Sequence, residues 1–362
     1  MPQVASFTVD YLRYLDSEGN AVGEMPPCAR DPGTLEALYR AMVLTRVFDA
    51  KAVSLQRTGR LGTFASSLGQ EAMAVGVGAA MRPEDVLLPS FREQGAQLLR
   101  GVTMTELLLY WGGDERGSNF QGPREDFPIC VPVGTHAPHA AGVAMAFQLR
   151  GEPRVAVCIF GDGGTSKGDV YEAMNFAGLR KLPLVFVVNN NLWAISVPRS
   201  AQSATETLAQ KAIAAGFPGV QVDGSDVIAV REVVGAAVER ARAGDGPTLV
   251  EAISYRLSDH TTADDASRYR DDADVSRHWK EEPVARLRRH MTAAGHWSKH
   301  QEEALIAECN GLVEAAAEAY LATPPQAPES MFDYLYAELP PALVPQRQAL
   351  LADSAESEEP PS

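Results

Sequence analysis

Two stretches decide how this chain folds: VAVCIFGDGG at residues 155–164 and LVFVVNNN at residues 184–191. Each opens with a short run that is apolar throughout and rich in β-branched residues, Val155 to Phe160 and Leu184 to Val188. Strands apolar on both faces belong to parallel sheets covered by helices, because alternate side chains point to opposite faces and both faces are buried. Between them, Tyr171 to Leu179 has the spacing of a helix, so the segment predicts a strand, helix, strand unit. A helical stretch at Val227 to Ala243 followed by an apolar strand at Thr248 to Ile253 repeats it. The expectation is an α/β fold of three layers, αβα: a doubly wound, mostly parallel sheet with a helical region after Ser276.

The flanks divide the chain. Residues 1–32 carry Pro26, Pro27 and Pro32 among scattered glycines, which predicts an N-terminal extended arm, with a loose terminus as the other reading. From Gly33 to Arg57 the positions Leu35, Leu38, Tyr39, Met42, Val43, Val47 and Phe48 recur at helical spacing, and Gly59 marks a stop. One main domain is expected over 33–330 and a C-terminal tail over 331–362, whose last residues, Ser354 to Ser362, have a disorder-prone composition. There is no internal repeat.

Composition narrows the function classes. A net charge of −15, with no Lys/Arg run long enough to follow a phosphate backbone, argues against nucleic acid as a partner. No window approaches the roughly 18 apolar residues of a membrane span. The four cysteines stand far apart without metal-ligand spacing, and Asp10, Asp16 and Glu18 interrupt any leader-like start, so the expected location is the cytoplasm.

The chemistry sits where the two opening strands end. Gly161-Asp162-Gly163-Gly164 and Asn189-Asn190-Asn191 both follow the carboxyl ends of strands that should be neighbours, the place where open α/β sheets bind ligands. A carboxylate and an amide oxygen are hard ligands suited to Mg²⁺, which completes its octahedron with diphosphate oxygens. The glycines admit a diphosphate close to the backbone, and the following helix is expected to turn its N-terminus toward that charge. Either half alone is a common turn or loop closure. The pair is more specific, and the G-x-G-x-x-G of nicotinamide folds is missing from it.

These motifs are similar to the thiamine diphosphate motif. The run from Gly161 to Pro198, together with Tyr255-Arg256 through His260-Thr261-Thr262-Ala263-Asp264-Asp265 to Tyr269-Arg270, resembles the alpha subunits of pyruvate and branched-chain 2-oxo acid dehydrogenases, over about Leu35 to Leu350. The resemblance implies thiamine diphosphate and Mg²⁺ as cofactors. Asp162, Asn191 and the main-chain carbonyl of Trp193 would ligate the metal, Trp193 standing where the family usually has Tyr. Gly161, Gly163, Gly164 and the pair Phe91-Arg92 would lie along the diphosphate, Phe91 without the hydroxyl of the family's Tyr. Backbone groups around Val131 and Val133 would reach the aminopyrimidine ring, and His260 would bond the diphosphate near the reacting carbon. Read from the residues alone, His260 with Arg256, Asp264, Asp265 and Arg268 is equally a solvated charged loop.

Other features take plainer readings. His278, His290, His296 and His300 are expected on the helical surface or in packing, His136 and His139 stay open, and Glu71 in Leu68-Gly69-Gln70-Glu71 is expected to cap or pack a helix start. Phe64 and Ala65 are candidates for an acyl pocket. Only one diphosphate-binding module is present, so the resemblance implies a beta subunit that supplies the pyrimidine-side glutamate, in an assembly of two alpha and two beta chains with an exposed apolar face on this one. It also implies acyl transfer to the lipoyl domain of a dihydrolipoyl acyltransferase. Stretches such as Gln210 to Gly216 and Val220 to Gly224 favour pyruvate as substrate. Ala194-Ile195-Ser196 and Asp264-Asp265 keep the branched-chain acid as runner-up, ahead of an acetoin-type enzyme. A non-catalytic scaffold is the reading from another class, against which the joint presence of Asp162, Asn191, Arg92 and His260 speaks.

Overall fold

The structure, a computed structural model, describes residues 1–333 and 335–358. It falls into two compact units, residues 1–320 and the residues from Leu321 on.

In the first unit six parallel strands form one sheet: β1 (Tyr11–Leu12), β2 (Val86–Leu88), β3 (Ala156–Gly161), β4 (Leu184–Asn190), β7 (Gly219–Asp223) and β8 (Thr248–Ile253). A two-residue ribbon, β5 (Trp193–Ala194) with β6 (Val197–Pro198), follows β4. The order across the sheet is β1-β7-β8-β4-β3-β2.

Residue alternation along the central strands builds the layers. Ala156, Cys158 and Phe160 pack on one side with Ala140 and Ala144 of the helix His136–Arg150 and with Ala173 and Ala177 of the helix Gly168–Arg180. Val157, Ile159, Val185 and Val187 pack on the other with Met73 and Val77 of the helix Glu71–Ala80 and with Val230 and Val234 of the helix Val227–Arg242. Both faces of β3 and β4 are covered, which is why these strands carry apolar residues at successive positions. The fold is therefore the expected three-layer α/β arrangement with a mostly parallel sheet.

The helix Pro32–Arg57 opens on Asp31, whose carboxylate accepts from the amides of Gly33 and Thr34, with Pro32 in the first turn. It stops at Thr58, and Gly59 follows at a φ of 71°. Within the N-terminal segment, β1 is the sheet's edge strand, and Asp226 accepts from the amides of Tyr14 and Leu15, both at 2.7 Å. Past Ser276 the first unit continues in the helix Pro283–Ala293.

The second unit holds a 3₁₀ turn, Pro328–Phe332, and the helix Val344–Glu358. That helix runs through the first part of the segment expected to be disordered, whose final residues, 359–362, lie outside the described residues. Among the described residues no helix is long and apolar enough to cross a membrane.

Candidate active site

The register of the sheet brings the two polar clusters together. Gly161 at the end of β3 stands opposite Asn189 of β4, so the turns that begin at Asp162 and Asn191 rise side by side. Between them lies a cavity of about 290 Å³ whose lining includes Phe91, Arg92, Val133, Gly161, Asp162, Gly163, Gly164, Asn191, Trp193 and His260. Of the residues expected at the site, Val131 is the one that does not line it; its side chain is half exposed, two positions before Val133. Phe64, expected near an acyl pocket, is fully buried against Phe48 and Trp111 instead.

Asp162 is 1% exposed, and its Oδ2 has no hydrogen-bond partner. Burial pushes its carboxyl up to about 6, against the pull of the Gly163 amide, its own amide, Arg256 and Arg199. A buried acceptor without a donor costs about 1–3 kcal/mol, more if charged, so such a group calls for a cation. Asn191 is also buried; its Nδ2 donates to Gln70, and its Oδ1 accepts from the Trp193 amide at 3.2 Å. Asn190 turns away and donates to Glu251 at 2.7 Å. Among the described residues no group of three or more His, Cys, Asp and Glu could hold a metal. The available set is one carboxylate, one amide oxygen and the Trp193 carbonyl, which suits a hard cation that takes its remaining ligands from a bound anion.

The approach to that set is built for an anion. Arg92 is 3% exposed and forks onto the carbonyls of Ser66 and His260. Burial and then the neighbouring Arg256 draw its guanidinium down to about 9, still charged at neutral pH. Arg256 is fully buried and donates to the Ile195 carbonyl and the Tyr269 hydroxyl, both at 2.8 Å. Nδ1 of His260 faces Arg92 at 3.0 Å and Arg256 at 3.3 Å. Two guanidinium donors require a lone pair at Nδ1, which leaves the ring's hydrogen on Nε2. Burial, followed by Arg92 and Arg256, lowers the imidazole to about 4, so the ring is neutral and a donor. The His260 loop is solvated only at its tip, where Asp265 and Arg268 are exposed; the His260 amide donates to Asp264, and Arg256 is buried beneath it.

The helix expected over Tyr171 to Leu179 runs from Gly168 to Arg180, and a 3₁₀ turn, Asp162–Ser166, joins it to β3. The close approach therefore comes from the turn itself. A Cβ on Gly163 would meet Ala194 at 3.0 Å and Gln202 at 3.2 Å, whereas one on Gly161 would meet nothing.

Ser90, Glu93, Lys167, Ile195 and Gln202 also line the cavity and were not legible as site residues. Burial raises the Glu93 carboxyl to about 7. Ser90 and Glu93 could have been reached as flanks of Phe91-Arg92; Gln202 carries no sequence signal. Neither His136 nor His139 lines the cavity: His136 bonds the Ile159 carbonyl at 2.7 Å within the core, and His139 bonds that of Thr135. Glu71 is fully buried, paired with Arg46 at 2.9 Å and accepting from Gly69, in keeping with a helix-start role.

The family model described as Dehydrogenase E1 component matches residues 39–329. The chain is 43% identical over 325 residues to the 3-methyl-2-oxobutanoate dehydrogenase subunit alpha of Mycobacterium tuberculosis, covering 90% of this chain and 89% of that one. It is 39% identical to the pyruvate dehydrogenase E1 component subunit alpha of Mycoplasma genitalium (92% and 93% covered) and to that of Staphylococcus epidermidis (93% and 91% covered).

Proposed function

Because the chain belongs to the Dehydrogenase E1 component family, we propose that it is the alpha subunit of a two-subunit 2-oxo acid dehydrogenase that binds thiamine diphosphate through Mg²⁺ in this cavity. The observation that carries the reading is the buried, partnerless Oδ2 of Asp162 in a cavity shared with two buried guanidiniums. A dead scaffold has no use for that arrangement, which costs stability.

In this reading Asp162 and Asn191, with the Trp193 carbonyl, hold Mg²⁺. Arg92 and the Nε2–H of His260 bind diphosphate oxygens, the turn at Gly161, Gly163 and Gly164 lets them approach, and Phe91 and Val133 flank the cofactor. When bound, thiamine diphosphate supplies the carbon nucleophile and electron sink for decarboxylation. Val133 and Ile195 line the cavity yet are 39% and 55% exposed, an apolar rim that suits cover by a beta subunit. That subunit would bring the pyrimidine-side carboxylate, in an assembly of two alpha and two beta chains located in the cytoplasm. The acyl group would pass to a lipoyl domain of an acyltransferase.

Two substrates compete. Sequence stretches favour pyruvate, whereas the 43% identity to a chain named for 3-methyl-2-oxobutanoate supports the branched acid. Side-by-side decarboxylation by this chain coexpressed with its beta partner tests both. Preference for either acid assigns the substrate; turnover of neither, with cofactor bound, overturns both assignments.

A further inference from the structure

Asn191 can ligate a cation only through Oδ1, because its amide nitrogen carries two hydrogens and no free lone pair. Two contacts decide which end faces the cavity. The Trp193 amide donates to Oδ1, and Nδ2 donates to Oε1 of Gln70 at 2.9 Å. The same Gln70 oxygen accepts from Nδ2 of Asn189 at 2.9 Å, and the Ser254 hydroxyl donates to the other end of that amide. Turning the Asn191 amide over would set donor against donor at Trp193 and acceptor against acceptor at Gln70.

Gln70 is 0% exposed and just precedes the helix Glu71–Ala80. Its own Nε2 has no partner. A buried amide hydrogen left unbonded is costly, and that cost is tolerated here for an orientation that serves Asn189 and Asn191 at once.

We propose that Gln70 is a positioning residue for the metal site, its side-chain oxygen holding the Asn191 nitrogen aside so that Oδ1 meets the cation. The inference rests on the reading of the cavity as a Mg²⁺-bridged diphosphate site.

The test is a Mg²⁺ titration at fixed thiamine diphosphate on this chain with its beta partner, followed by calorimetry. Gln70→Met removes the acceptor at similar volume and is expected to lower Mg²⁺ affinity by about 10–100-fold, as loss of an outer-shell partner does. Gln70→Asn, which keeps the amide but shortens its reach, should act in the same direction and serves if the Met variant does not fold. In an Asn191→Asp background the ligand has two equivalent oxygens and needs no orienting, so Gln70→Met should then cost within about twofold. An equal loss in both backgrounds would make Gln70 a plain support of the fold and overturn the proposal, as would no loss in the wild-type background. Absence of Mg²⁺-dependent cofactor binding in the unsubstituted protein would instead overturn the site reading beneath it.

Discussion

Replacing Asp162 by Asn should stabilise the metal-free protein while removing its response to cofactor. The carboxyl's ordinary value of 3.8 rises to about 6 in the fold, chiefly through burial. Two pH units at 1.36 kcal/mol each mean that the ionised group costs the folded state about 3 kcal/mol at neutral pH. The amide in its place keeps the shape and loses the charge, but leaves a buried N–H₂ without a partner at about 1 kcal/mol. The net gain is about 2 kcal/mol, roughly 3 °C in Tm for a unit of this size. The folded-state value lies above the ordinary one, so the penalty is full above about pH 6, shrinks as pH falls from there toward 3.8, and is absent below.

The assay is thermal unfolding of the chain with its beta partner in EDTA at pH 7.5 and pH 5, repeated at pH 7.5 with Mg²⁺ and thiamine diphosphate. The variant should melt higher in EDTA at pH 7.5, lose much of that advantage at pH 5, and show little rise with cofactor. A variant no more stable than wild type in EDTA, or one raised by cofactor as much as wild type, would refute the reasoning.

Two further outcomes follow from the same geometry. Arg92→Lys replaces a fork that reaches the Ser66 and His260 carbonyls together with a single ammonium; cofactor affinity by calorimetry should fall at least about tenfold, the scale of one charge-assisted bond, and unchanged affinity would count against the phosphate role. For His260, held near 4 by burial and two guanidiniums, nitrogen NMR should report a neutral Nε2–H ring from pH 8 down to pH 5. A titration close to 6.5 would contradict the burial and contacts described above.

Much of the fold was readable because its periodicities are local. Leu184 to Val188 and Val155 to Phe160 are apolar at every position, a pattern that only a sheet covered on both faces demands, and β8 lies where Thr248 to Ile253 predicted it. The failures have a common cause in burial that spacing does not encode. Arg256 looks like one charge of a solvated loop, yet it is sealed beneath His260. Phe64 reads as a pocket candidate because hydrophobic residues line pockets and cores alike; the structure buries it among Phe48 and Trp111.

By itself the sequence determined that two strand ends would carry an acid and an amide, and that an arginine and a histidine elsewhere resembled their companions. Only the tertiary structure decided that Gly161 stands opposite Asn189, that Arg92 and Arg256 share the Nδ1 lone pair of His260, and that Gln70 orients Asn191. The physical reason is that protonation states and amide orientations depend on desolvation and on partners distant in the chain, and these come together only when the strands pair and the loops close over them.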